Sequence, residues 1–202
     1  MKVIYLDVET TGLNEYVHAV IQVAWIVEIS GVVVSEQSLL VRPFDGAEID
    51  PGAMKTHGIT VAELFEYGVS QQSAAAQIAE DWGRFIDASD GNDLAALCAY
   101  NLQKDFGFLQ RMFERIGAPH LGRWIQVGRW LDPFYLAAFA QHLGAMDRTS
   151  DMRLKTVAEA LGIETGRSHN AIDDIRTTRR VMSVLSVLSV LSEQRGSYAG
   201  VA

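Results

Sequence analysis

The sequence predicts an α/β protein in which a mixed five-stranded sheet is flanked by helices. Three features predict it. The first apolar run is followed by two long β-rich runs joined by a hairpin signal, which makes three antiparallel strands. From residue 70 onward, short apolar runs alternate with stretches of helical periodicity, as in parallel-strand units. The length, 202 residues, suits one domain with a substantial buried core.

The first strand is Val3-Ile4-Tyr5-Leu6-Asp7-Val8-Glu9-Thr10-Thr11-Gly12, apolar and aromatic except for two carboxylates near its end. Residues 19–29 (AVIQVAWIVEI) and 32–41 (VVVSEQSLLV) are β-rich and separated by Ser30-Gly31, a two-residue hairpin turn. Residues 43–60 carry Asp-Gly and Asp-Pro-Gly turn signals and read as a loop. A helix over 70–88 closes at Ser89-Asp90-Gly91-Asn92, and 94–100 is a second buried strand. Residues 103–116 form a helix ended by Gly117 and Pro119. A short strand over 124–131 precedes a helix over 133–143 opened by its proline. A polar break at 147–151 leads to a helix over 154–161, stopped by Gly162, and a last long helix runs from about 170 to 191. Residues 1–192 are expected to be the single domain and 193–202 a flexible tail.

Charged residues are 21% of the chain and hydrophobic ones 49%, ordinary proportions for a globular protein. The net charge of −8 argues against broad gripping of duplex nucleic acid, which needs many phosphate contacts from Lys and Arg. A short contact neutralised by metal ions is compatible with it. The single cysteine, Cys98, excludes an intramolecular disulfide and a zinc finger. No secretory signal precedes the first strand and no apolar run approaches the roughly 20 residues of a spanning helix, so a cytoplasmic location is expected.

Alternate residues of a strand point the same way, so Asp7 and Glu9 leave one face together, separated by roughly 6.6 Å of rise. Two like charges held that close resist joint ionisation unless a cation sits between them, and hard oxygen donors suit magnesium or manganese. Two further carboxylates interrupt apolar stripes. Asp105 heads the face formed by Phe108, Leu109, Met112, Phe113 and Ile116, and Asp174 lies on the face of Thr178, Val181, Leu185 and Leu188. Asp173 shares the other face with Thr177 and Arg180 and is expected to point outward. Of the five histidines, His169 stands out because it lies just before the last helix, where Asn170 can cap and Asp173 can close the box. That places its imidazole beside Asp174, and an imidazole suits proton removal from water near neutral pH.

These stretches resemble a known family. Asp7-Val8-Glu9-Thr10-Thr11-Gly12, then Asn101-Leu102-Gln103-Lys104-Asp105, then His169-Asn170-Ala171-Ile172-Asp173-Asp174 are similar to the three motifs of the DEDDh, or DnaQ-like, 3′–5′ exonucleases. Residues 51–60 (PGAMKTHGIT) are similar to the family's loop ending in His-Gly-Ile. Two positions depart from the pattern: Tyr100 stands where the second motif usually opens with His, and Lys104 where an aromatic residue commonly precedes the Asp. The resemblance implies a ribonuclease H-like fold and two divalent ions, Mg2+ or Mn2+, held by Asp7, Glu9, Asp105 and Asp174, with His169 as the base. It also implies substrate contacts from Thr11, Gly12, Leu13, His57 and Asn101, with Leu13 wedged under the terminal base. The implied reaction is hydrolysis of single-stranded or frayed DNA from its 3′ end, and an exoribonuclease trimming RNA is the alternative, since nothing identified here reads a 2′-hydroxyl. A silent interaction module on the same fold is a third reading. The repeat Val184-Leu185-Ser186-Val187-Leu188-Ser189-Val190-Leu191 leaves apolar surface on several sides of the last helix, which fits either a core helix or a homodimer or partner interface through that helix. A DNA polymerase partner is not indicated, because only ten residues follow the helix, and a stand-alone enzyme is expected.

Overall fold

A computed structural model describes residues 1–166 and 169–196, with side chains through residue 188. The elements are β1 (Lys2–Thr10), β2 (Val20–Ile29), β3 (Val32–Leu40), α1 (Pro51–His57), α2 (Val61–Tyr67), α3 (Gln71–Gly83), β4 (Ala95–Cys98), α4 (Leu102–Arg115), β5 (Ile125–Leu131), α5 (Pro133–His142), α6 (Leu154–Ala160) and α7 (Ala171–Gly196). The five strands form one sheet in the order β3-β2-β1-β4-β5. β1 pairs antiparallel with β2, and β2 with β3, while β4 is parallel to both β1 and β5. The mixed sheet expected from the sequence is therefore present. Ser30 and Gly31 both hold positive φ, 51° and 86°, the geometry of a turn whose twist matches that of the paired strands.

Alternation along β1 divides the protein into layers. Ile4, Leu6 and Val8 pack with Ile78 and Trp82 of α3 and with Leu109, Met112 and Phe113 of α4. Val3 and Tyr5 face the opposite side, with Ala24, Ile26, Cys98 and the α7 residues Ala171 and Ile175. A third cluster joins α5, α6 and α7 through Ala137, Val157, Ala158, Val181 and Leu185. α7 is thus covered by the sheet on one side and by α5 and α6 on another. That explains why Thr177 is buried rather than outward as expected, its hydroxyl donating to the Asp173 carbonyl at 2.9 Å. Arg179 fixes α7 to the sheet by donating to Glu28 Oε2 at 2.6 Å, and Arg176 pairs with Glu36 on β3.

Two expectations need correction. Residues 43–60 are not all loop, because Pro51–His57 is helical, with the Asp50 side chain accepting from Gly52 N–H and Gly58 closing the helix at φ 74°. The Asp-Pro pair is an N-cap followed by N1, not a turn. Residues 61–67 form a further helix with a capping box between Thr60 and Glu63. α7 runs to Gly196, four residues into the stretch expected as tail, and 197–202 lie outside the described residues. In the apolar repeat, Leu185 is buried, Leu188 packs on the third cluster and Val187 is exposed; the side chains of Val190 and Leu191 lie outside the described ones. Among the described residues no helix is long and apolar enough to cross a membrane.

Candidate active site

A cleft of about 540 Å³ opens where β1 and β4 end. The carboxyl ends of adjoining parallel strands are where open α/β sheets usually hold ligands. β1 supplies Asp7 and Glu9, which alternate past Val8 so that both side chains leave the α7 face of the sheet. Ala24 stands opposite Asp7 in the register, and its small side chain leaves that face open. α4 supplies Asp105 in its first turn, buried, with Oδ1 accepting the Val8 N–H at 3.2 Å. α7 supplies Asp174, also in its first turn, whose Oδ2 accepts the His169 N–H at 3.0 Å. His169 itself holds a positive φ of 61°.

The structure brings all five expected residues to the one cleft. One ligand atom each from Glu9, His169 and Asp174 lies within 4.8 Å of the others, close enough to hold one metal ion. The expected capping by the Asn170 side chain is not made: its Oδ1 is buried without a partner, and its backbone carbonyl accepts from Asp173 and Asp174 at 3.0 Å. The neighbouring Ala171 N–H is taken by Gln22 Oε1 from β2 at 3.3 Å. Asp173 points away from the cleft toward Arg176, 3.4 Å away, and packs so closely on Gly166 that a Cβ there would stand 2.7 Å from its carboxyl carbon.

The electrostatics fit a cation site. Burial, then the charges of Asp105, Glu9 and Asp174, push the Asp7 carboxyl well above its ordinary range. Burial and Asp174 push Glu9 up to about 7. Asp105 is also raised to about 7 by burial, with Lys104 and the Val8 N–H opposing. Asp174 rises through burial, opposed by the His169 N–H and ring. Carboxyls that hold protons near neutrality are those from which a divalent ion would displace them, and the four carboxylates form a hard oxygen donor set.

The expected substrate contacts divide. Asn101 lines the cleft in the left-handed region, φ 64°, at the start of α4. Leu13 is 79% exposed on the loop after β1. Thr11 is buried, and its hydroxyl donates to the Glu48 carbonyl at 2.6 Å and accepts the Ala19 N–H at 2.9 Å, so its side chain holds the loop instead of offering a free donor. Gly12 is required by packing, since a Cβ would stand 2.1 Å from the His18 ring. His57 ends α1, and its pKa is lowered by burial and by His169, with the Thr10 backbone opposing; its ring is therefore a neighbour of the site.

Residues 4–182 match the family model described as Exonuclease. The chain belongs to the exonuclease family. Ribonuclease T of Actinobacillus pleuropneumoniae serotype 5b is 29% identical over 120 residues, 57% of this chain and 55% of that protein. The PolC-type DNA polymerase III of Thermotoga petrophila is 27% identical over 180 residues, 89% of this chain and 11% of that protein. E. coli exonuclease I in complex with a dT13 oligonucleotide superposes with a TM-score of 0.76 at 20% identity, over 98% of this chain and 43% of that one. The chain spans about half the length of the Ribonuclease T relatives it matches. At 20% identity the likeness to exonuclease I shows the fold.

One residue of this exonuclease-family site was not singled out from the sequence. Asp132, at the end of β5, accepts the N–H groups of Asn101 at 3.0 Å, Leu102 at 2.9 Å and Phe134 at 3.0 Å. A single carboxylate thus caps α4 and α5 together and fixes the turn that presents Asp105. Its signal was the Asp-Pro pair at 132–133, which reads as a cap for α5 alone.

Proposed function

We propose that the chain is a divalent-metal-dependent 3′–5′ exonuclease that removes nucleoside monophosphates from single-stranded or frayed DNA ends by a two-metal mechanism. The observation that carries the reading is the convergence of Asp7, Glu9, Asp105, Asp174 and His169 on one cleft. Two ions, Mg2+ or Mn2+, would supply a water acidic enough to attack near neutral pH and positive charge for the reacting phosphate. Asp7, which feels the charges of Asp105, Glu9 and Asp174, would be shared between the two ions. Glu9 and Asp174 would hold the ion on the nucleophile's side, and Asp105, already bonded to Val8 N–H, would hold the second through its remaining lone pairs. His169, whose backbone is tied to Asp174, would accept the proton from the attacking water at a ring nitrogen. Leu13 would meet the terminal base, with His57 and Asn101 steadying the last nucleotide.

An RNA 3′ end is the second substrate reading, and the similarity to proteins named Ribonuclease T favours keeping it. Parallel digestion of 5′-labelled single-stranded DNA, duplex DNA and RNA tests both. Faster trimming of single-stranded DNA supports the first reading, faster trimming of RNA the second, and an inert wild-type chain in Mg2+ and Mn2+ would reject both.

A further inference from the structure

We propose that Lys104 and Arg153 are two phosphate contacts in the cleft, from two different elements, Lys104 at the reacting phosphate and Arg153 at the next one out. The inference rests on the exonuclease reading and assigns the path of the strand through the same site. The problem it answers is set by charge. Four carboxylates line the cleft of a chain whose net charge is −8, so a polyanion needs local cations as well as metal ions to enter it.

Lys104 and Arg153 are the Lys and Arg side chains among the residues lining the cleft. Lys104 lies on the first turn of α4 beside Asp105, exposed, and among the described residues it forms no ion pair. Its place next to Asp105 in that turn sets it at the metal-binding end of the cleft, and its charge acts on Asp7, Glu9 and Asp105.

Arg153 lines the cleft from a different element, immediately before α6. Its side chain is 85% exposed, and its pairing with Asp151 at 3.7 Å is one that solvent screens. Its exposure, and its place on a segment that carries none of the four carboxylates, set it at the outer end. Tyr100 packs edge-on against Phe134 at 5.8 Å, and its hydroxyl donates to the Met152 carbonyl at 2.7 Å. The aromatic pair lines the cleft, and the Tyr100 hydroxyl ties the Arg153 segment to it. A single strand running from the metal end outward would pass Lys104 first and Arg153 second, with its bases toward that pair.

The test is binding of a fluorescein-labelled dT12 to the full chain, followed by anisotropy in Ca2+ from 25 to 200 mM NaCl. Lys104→Gln and Arg153→Gln should each weaken binding and reduce the slope of log affinity against log salt by about 0.7, the worth of one single-strand phosphate contact. Lys104→Arg should restore the slope. A merely structural role would weaken binding with the slope unchanged, and that result overturns the proposal. Hydrolysis of thymidine 5′-monophosphate p-nitrophenyl ester, which has one phosphate, separates the two positions. Lys104→Gln should raise its KM severalfold, whereas Arg153→Gln should leave it unchanged, and the reverse pattern overturns the assignment of inner and outer. A wild-type chain that binds with these slopes but hydrolyses nothing would sink the exonuclease reading and leave the contacts standing. Normal hydrolysis with slopes unaltered in both variants would do the opposite.

Discussion

Asp7→Asn should stabilise the metal-free protein by an amount that depends on pH. The substitution keeps the shape of the side chain and removes one of four crowded charges. Glu9 gives the scale: a carboxyl raised from 4.5 to about 7 costs the folded state roughly 3 kcal/mol once ionised. Asp7 is more enclosed and faces three other carboxylates, so its removal should gain at least a comparable amount. The sign follows from linkage. Asp7 has a folded-state pKa above its unfolded value, so the folded state binds the proton more tightly, and stability falls as pH rises between the two. The variant is spared that loss. Its advantage should be about 1 kcal/mol at pH 4.5, just above the ordinary value of 3.8, and larger at higher pH. At pH 8 a gain of about 3 kcal/mol raises the unfolding midpoint by roughly 6–12 °C for a chain this size. Thermal unfolding in EDTA at the two pH values is the assay. A gain of equal size at both, or a less stable variant at pH 8, would refute the repulsion argument. Added Mg2+ should narrow the difference by stabilising the wild type more than the variant.

Asp174→Ala should lose divalent-ion binding and turnover, while Asp173→Ala should keep both, since Asp173 points away from the cleft toward Arg176; kinetics and Mn2+ titration of the pair would expose a wrong helical phase if Asp173→Ala were the inert one. His169→Ala should slow turnover by roughly 10²–10⁴, or about 3–5 kcal/mol of barrier, with Mn2+ affinity unchanged. A loss of Mn2+ affinity of tenfold or more would make His169 a ligand instead of the base, which its distance to Glu9 and Asp174 permits. Asp132→Ala should destabilise the fold by about 1–2 kcal/mol, because the N–H groups of two helix starts lose their acceptor. Urea denaturation reads that loss, and no change would mean that water replaces the carboxylate.

Much of the site was legible because strand and helix periodicities are local. Strand alternation put Asp7 and Glu9 on one face, and the apolar stripes put Asp105 and Asp174 inward without any knowledge of the partner elements. What escaped depended on contacts distant in sequence or on a signal with two meanings. Asp50-Pro51-Gly52 reads equally as a turn and as a helix start, and only the Gly52 N–H donating to Asp50 at 2.6 Å decides it. The double cap by Asp132 exists because β4 and β5 lie parallel, which brings the end of β5 beside the start of α4. Asn170 looked like a cap from its position, but Gln22, nearly 150 residues away, takes the N–H next to it. Thr177 was placed outward by helical phase alone, and a helix packed on two sides has a wider buried face than one stripe predicts.

The central claim is that these four carboxylates and His169 form a metal-dependent hydrolytic centre acting at a 3′ end. A 5′-labelled single-stranded oligonucleotide, incubated with the full chain and resolved by denaturing electrophoresis, tests it most directly. With Mg2+ or Mn2+ the product should be a ladder shortened one nucleotide at a time, absent in EDTA and absent for Asp7→Asn. Internal cleavage, release of the label as a 5′ mononucleotide, or an undiminished ladder from Asp7→Asn would contradict it.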